Sequence, residues 1–316
     1  MKGLARRRER GWAAAILVGL AALGLLPLAR PRDDVLNFVV VLLLAITMAE
    51  SWNIAAGYAG QVNLGHAAFF GLGALVARTL WIKGTPIVLA MLAGTAVATA
   101  FALLIGVAAF RLRGAYFAIG TLALGEILRT TVGNVLPEIS TLPARTIASY
   151  RLTQRYYLAL VLAGISVIVV AALATSRAGL GMRAIREDEE AAEASGVGAL
   201  SLKLLALALS TALAGLAGGL FAFYHISYYP AHPFGPQWTF DALLMTFIGG
   251  VGTLQGPVLG AVLYVTLKEY LALRWVDIHL LIFGALFVAI VLLLPGGLVQ
   301  AAERARALLG GARRPA

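Results

Sequence analysis

The sequence has no cysteine, which excludes disulfides, thiolate metal sites, iron–sulfur clusters and cysteine nucleophiles. It is also short of charge: only 13% of its 316 residues are Asp, Glu, Lys or Arg, against about 25% in an ordinary soluble domain. Lysine is scarcer still, at Lys2, Lys83, Lys203 and Lys268, and none of them completes a glycine-rich phosphate loop. H-E-x-x-H, G-x-S-x-G and Asp-Phe-Gly patterns are missing as well, so no zinc-protease, hydrolase or kinase centre is expected. His225 and His232, in an aromatic loop, are a weak metal signal. What the chain has in quantity is apolar side chain and glycine. Hydrophobic residues make up 60%, mean hydropathy is +0.88, and there are 35 glycines. A soluble enzyme, a nucleic-acid binder and a disordered chain are all excluded by that balance. The net charge of +10 then reads as arginines on cytoplasmic loops rather than as a nucleic-acid surface.

Lipid cannot satisfy open backbone groups, so a spanning chain is either helical or a closed barrel. Barrel strands alternate apolar and polar residues, whereas this chain has continuous runs such as VLNFVVVLLLAITM and YYLALVLAGISVIVVAALAT. The fold class is therefore all-α, a polytopic helical membrane protein in a single domain over residues 1–316. Some ten spans or half-spans centre in 12–29, 35–56, 64–82, 87–110, 115–134, 156–175, 203–224, 239–250, 257–273 and 278–294. The eighth is too short to cross alone and reads as a half-helix. The first follows Arg6, Arg7, Arg8 and Arg10 in the manner of a signal peptide, but no A-x-A site follows, which favours a retained helix.

Orientation follows the lysine and arginine bias. Residues 1–11 carry five such residues, 111–113 two, 176–203 four and 300–316 four, whereas the loop 225–238 has none. Both termini are thus expected in the cytoplasm. Arg145, Arg151 and Arg155 depart from the trend by lying on the outer side. The spans group as one, four, one and four, the arithmetic of an inverted repeat.

Two glycine-rich stretches interrupt the apolar runs. SWNIAAGYAGQVNLGHAAFFGLGA places Glu50, Asn53, Gln61, Asn63 and His66 among apolar residues. Polar side chains at membrane depth line a pathway or pack helices through buried hydrogen bonds; both readings stand for these five. FIGGVGTLQGPVLGA is a helix–turn–helix break, since proline and clustered glycines cannot continue a helix. Glu126 and Arg129 lie three apart and can pair on one helix face.

The loop 176–202, SRAGLGMRAIREDEEAAEASGVGALSL, is unusual for a cytoplasmic loop. Between Ala178 and Gly198 it carries two Arg and five Asp/Glu, whereas a loop resting on lipid should be basic. An acidic, helix-forming segment suits a protein partner better, although a solvated connector is the plainer alternative. Met182 and Ile185 share a face as an apolar anchor. Glu190 and Glu193 can meet basic groups, Ala191 and Ala192 allow close approach, and Gly196 can end the helix in a left-handed conformation. As one continuous helix, the segment has its charges in the wrong order for the macrodipole, arginines early and acids late.

Glu190-Ala191-Ala192 followed by Gly196 resembles the E-A-A-x-x-x-G loop of membrane subunits of ATP-binding-cassette (ABC) importers. AGYAGQVNLGHAAFFGLGA, RLRGAYFAIGTLALGEILR, RAGLGMRAIREDEEAAEASGV, KLLALALSTALAGLAGGLFA and GGVGTLQGPVLGA, in that order across 45–295, resemble the branched-chain amino-acid permease family, LivM-type subunits in particular. After Asn134, where such proteins often carry a T-G-G-x-x-G-like stretch, this chain reads VLPEISTLPARTIASYRL. The resemblance implies a non-enzymatic membrane subunit, in the cytoplasmic membrane of a bacterium or archaeon, paired with a LivH-type permease subunit. It also implies two cytoplasmic ATPase subunits, which bind the ATP, and an extracytoplasmic solute-binding protein; no cofactor belongs to this chain itself. On that reading Met182, Ile185, Glu190, Ala191, Ala192, Glu193 and Gly196 face the ATPase, and Arg145, Arg151 and Arg155 face the binding protein. An ion-coupled carrier working without an ATPase is the alternative, for which Glu50, Glu126 and Asp241 are the available ionisable groups.

Overall fold

The computed structural model describes residues 2–148, 150–274 and 296–311, with a few isolated positions between 281 and 292. The expected span 278–294 falls mostly outside them. The chain is helical nearly throughout. α1 (Lys2–Leu23), α2 (Asp33–Asn53), α3 (His66–Ile82), α4 (Ile87–Ala109) and α5 (Ala115–Val135) are followed by a short α6 (Ala144–Ala148) and by α7 (Leu152–Thr175). α8 (Arg177–Glu187) and α9 (Glu189–Ala194) precede α10 (Ala199–Tyr224), α11 (Pro236–Gly249), α12 (Gln255–Arg274) and α13 (Gly297–Gly311). Six described helical segments are long and apolar enough to cross a membrane by length and composition. α11 has 14 residues, about 21 Å of helix, too short for a ~30 Å hydrocarbon core. Pro236 at its first turn and Gly250 just past its end bound it.

Burial separates the central helices from the peripheral ones. In α2 with its extension, and in α10, 67% of the spanning residues are buried, against 11% for the first span. α2 packs against α7, α11 and α12; α10 packs against α3 and α4; and the two meet each other at the centre. The first helix of each group of four thus crosses to the second and third helices of the other group, the exchange that an inverted repeat produces. Backbones approach closely where α10 meets α3. A Cβ on Gly218 would stand 1.9 Å from the Phe70 carbonyl oxygen, so this crossing depends on the missing side chain, as in other membrane helix pairs built on small residues. On α5, Phe117, Thr121, Gly125 and Val132 form a single buried stripe. Beside it Arg129 and Glu126 form a bidentate pair.

At the end of the bundle away from α8 and α9, Arg78 of α3 is buried and donates to the carbonyls of Ala222, His225 and Ile226 at 3.0, 2.8 and 2.6 Å. It thereby satisfies carbonyls left open where α10 ends. His225 and His232 both lie tilted against Phe221, with centroids 4.1 and 6.0 Å away, so their shared neighbour is an aromatic ring. The atypical segment after Asn134 is pinned by a two-residue antiparallel pairing of β1 (Ser140–Thr141) with β2 (Ser227–Tyr228). Burial pushes the Tyr228 hydroxyl up to about 12, with Arg78 pulling it back.

Candidate functional site

α2 does not stop at Asn53. It runs into a π-helical turn, Ile54–Tyr58, a widening that leaves carbonyls without the ordinary i−4 donor and recurs at functional sites. Two elements distant in sequence supply the partners. Asn53 Nδ2 donates to the Thr253 carbonyl at 2.9 Å, and the Gly252 amide donates back to Asn53 Oδ1 at 2.8 Å. Arg186 of α8 donates to the Gly57 carbonyl at 2.6 Å. A Cβ on Gly57 would lie 2.7 Å from the Gly252 nitrogen, so only glycine lets the two breaks touch. The stretches GYAGQVNLG and GGVGTLQGP therefore form one junction, closed from the side by α8.

The remaining polar residues of the first break are held within it. Trp52 Nε1 donates to the Asn63 carbonyl, and Asn63 Oδ1 accepts from the Gly65 amide, both at 2.9 Å. His66 Nε2 meets Ser51 Oγ at 2.7 Å, and Ser210 Oγ of α10 donates to the Ser51 carbonyl at 2.6 Å. Glu50 is wholly buried, and among the described residues neither of its carboxylate oxygens has a partner that meets hydrogen-bond geometry. Gln61 is half-buried and turns back to the Ala59 carbonyl at 3.1 Å. Of the five residues singled out in this stretch, Asn53, Asn63 and His66 thus spend hydrogen bonds on closing the break. Glu50 is enclosed, and Gln61 lies at the rim.

The acidic segment is two helices rather than one. Ser176 Oγ accepts from the Gly179 amide and caps α8; Asp188 Oδ1 accepts from the Ala191 amide at 3.0 Å and caps α9. The break at Asp188 resolves the unfavourable charge order. Arg186 falls in the last turn of α8, and Glu189 and Glu190 in the first turn of α9, where the helix dipoles favour each. Asp188→Ala should loosen α9 by about 1 kcal/mol, seen as faster amide exchange at Ala191 and Ala192 than in the parent.

Met182, Ile185 and Ala192 differ from their expected role. Met182 is fully buried in the main core, and Ile185 packs with Ala192 and Ala199, because the apolar face of α8 turns inward onto the bundle. They anchor the segment to its own chain and leave no surface for a partner. Buried Lys203 reinforces this anchor by pairing with Glu189. The exposed side consists of Glu190, Ala191, Glu193 and Gly196. Glu190 meets Arg113 at 3.1 Å through side chains 80% and 69% exposed, a pair worth about 0–1 kcal/mol and easily exchanged. Gly196 has φ +84, with open space where a Cβ would stand, the left-handed turn its spacing suggests.

On the opposite face the three arginines separate. Arg155 is 2% exposed. It donates to the Phe223 carbonyl at 3.0 Å and sits over the rings of Tyr150 and Phe223 at 3.6 and 4.1 Å, so packing removes it from any docking surface. Arg151 is exposed; Arg145 lies in α6, its side chain outside the described residues.

Sequence reasoning missed Arg183 and Arg186 as the latch. Arg183 stands 5.0 Å over the Tyr58 ring, while Arg186 takes the Gly57 carbonyl. The available signal was that a broken helix buried among apolar segments must find donors elsewhere, and two arginines at i, i+3 spacing on the neighbouring loop can supply them.

Apolar helices crossing in an exchanged repeat, with two broken helices meeting each other and tied to an amphipathic loop, define a polytopic membrane permease. Residues 35–291 match the family described as branched-chain amino acid transport system / permease component, and the chain belongs to it. It is 27% identical over 331 residues to the high-affinity branched-chain amino acid transport system permease protein LivM of Escherichia coli, covering 93% of this chain and 77% of that protein. It is 28% identical over 296 residues to LivM of Salmonella typhimurium, covering 83% and 69% respectively.

Proposed function

We propose that this chain is one membrane subunit of an ABC importer that carries branched-chain amino acids or related small solutes into the cytoplasm. A LivH-type subunit completes the membrane pair, two ATPase subunits bind the ATP, one of them docking on α8 and α9 of this chain, and an extracytoplasmic binding protein delivers the solute. On this reading both termini and the α8–α9 face are cytoplasmic. The observation that carries it is the Arg186–Gly57 latch: α8 is bonded directly to the junction of the two broken helices, so displacement of α8 reaches the point where those helices meet. The docking surface is the exposed side of the segment, Glu190, Ala191, Glu193 and Gly196, rather than the buried Met182 and Ile185. The two breaks, the 110–114 turn and α8–α9 lie at the same end of the chain's alternating crossings, which supports this orientation.

The test pairs ATPase co-purification with uptake in vesicles for Gly196→Val and Glu190→Lys. A β-branched residue at positive φ is strained by about 1–3 kcal/mol and should redirect α9, whereas Gly196→Asn, which tolerates that conformation, should retain most uptake. Glu190→Lys reverses a charge on the docking side. Both should leave the membrane bundle folded while reducing ATPase retention and uptake together. Near-normal uptake in both, or wild-type uptake that persists without any ATPase subunit, would refute the assignment.

A further inference from the structure

At the end of the bundle opposite α8 and α9, the helices α2, α10, α11 and α12 enclose a cavity of about 330 Å³, within the range of small-molecule sites. Its walls are apolar, with Leu44 and Met48 from α2, Phe221 from α10 and Met245 from α11. One side is different. Asp241 of α11 and Lys268 and Glu269 of α12 line the cavity, with Lys268 Nζ 2.9 Å from Asp241 Oδ2 and the Tyr264 hydroxyl on Asp241 Oδ1. The paired Asp241 and Lys268 side chains are 26% and 44% exposed.

We propose that this cavity binds a zwitterionic amino acid with an apolar side chain, its ammonium on Asp241, its carboxylate on Lys268 and its side chain against Leu44, Met48 and Met245. The inference deepens the importer reading and rests on it for its place in transport. Charge complementarity selects the ligand. A lone anion would meet the carboxylates of Asp241 and Glu269, and a lone cation would push Lys268 from its counter-ion; either makes a like-charge contact, which is unfavourable in low-dielectric surroundings. A lipid chain would fill the apolar walls but use neither charge. A zwitterion converts one ion pair into two while its body displaces water from apolar walls. The empty cavity is equally self-consistent, since Asp241 and Lys268 satisfy each other and neither is left as an uncompensated charge. Tyr264 holds the carboxylate in place in both states.

Trp238 also lines the cavity and gives a reporter. The full chain in lipid nanodiscs is titrated with L-leucine and with two analogues that each lack one charge, isoamylamine and isocaproate. L-leucine should give a saturable change in tryptophan emission that disappears in Trp238→Phe, and each analogue should bind at least about tenfold more weakly, because a site built around paired groups rejects ligands that leave one unpaired. Asp241→Asn should weaken leucine and at the same time erase its advantage over isocaproate, a change in discrimination that unfolding would not produce. No saturable response in the parent, or analogues binding as well as leucine, overturns the proposal. The assembled importer separates the two claims. ATP-driven leucine uptake with KM and Vmax unchanged in Asp241→Asn and Lys268→Gln would remove the cavity from the pathway and leave the importer standing. Leucine binding by the chain without uptake of any apolar amino acid by the assembly would do the reverse.

Discussion

Asn53→Leu should both destabilise the chain and stop transport. The Asn53 amide bonds two backbone groups of the other glycine break, the Thr253 carbonyl and the Gly252 amide. Leucine fits the helix but supplies neither partner, so a carbonyl and an amide are left open in a tightly packed junction. Each such group costs about 1–3 kcal/mol, which places the loss at about 2–6 kcal/mol in total. Asn53→Asp keeps the acceptor for Gly252 but turns a carboxylate oxygen onto the Thr253 carbonyl in a fully buried site beside Glu50, so it should destabilise at least as much as Asn53→Leu. Thermal unfolding of the purified chain with vesicle uptake checks this. A midpoint for Asn53→Leu equal to the parent's would mean that the two breaks do not depend on each other through this side chain.

Arg186→Met is expected to separate docking from transmission. The substitution keeps the stem that packs on Gly60 and removes only the guanidinium bond to the Gly57 carbonyl. A hydrogen bond to a charged group is worth about 1.5–3 kcal/mol. Coupling energies of about that size alter a linked equilibrium by roughly 5–150-fold. The exposed side of α9 is untouched, so the ATPase should co-purify normally while solute-stimulated uptake falls at least about tenfold. Arg186→Lys should recover only part of it, since an ammonium lacks the planar fork that reaches the carbonyl. Full uptake in Arg186→Met would show that the latch is packing alone.

The contrast between these two residues shows how far the site is legible in the sequence. Asn53 stands out there because an amide among apolar residues needs a reason to be present, and the structure supplies that reason 200 residues away in sequence. Arg186 reads in the sequence only as charge, since an arginine on a polar loop has no pattern that distinguishes a solvated side chain from one folded back onto a carbonyl. Met182 and Ile185 show the same gap from the other side. Their spacing correctly puts them on one face, but spacing alone does not say whether that face meets a partner or the chain's own bundle, and here α8 lies down on α10 and α7. Arg155 looks available for docking by its place in the sequence, yet two aromatic rings and a carbonyl enclose it.

Composition and run length by themselves determine that this chain is a helical bundle for lipid, because a scarcity of charge and long unbroken apolar segments admit no other way to satisfy the backbone. They also determine where the helices must break, since clusters of glycine and proline act locally. Which breaks meet was decided only by the tertiary structure. The approach of Gly57 to Gly252, the closing of that junction by Arg186, and the cap at Asp188 that sets the charges of α8 and α9 in favourable order all depend on helices remote in sequence packing at a common end. Hydrophobic periodicity records which side of a helix avoids water, but it carries no address for the particular neighbour that covers it.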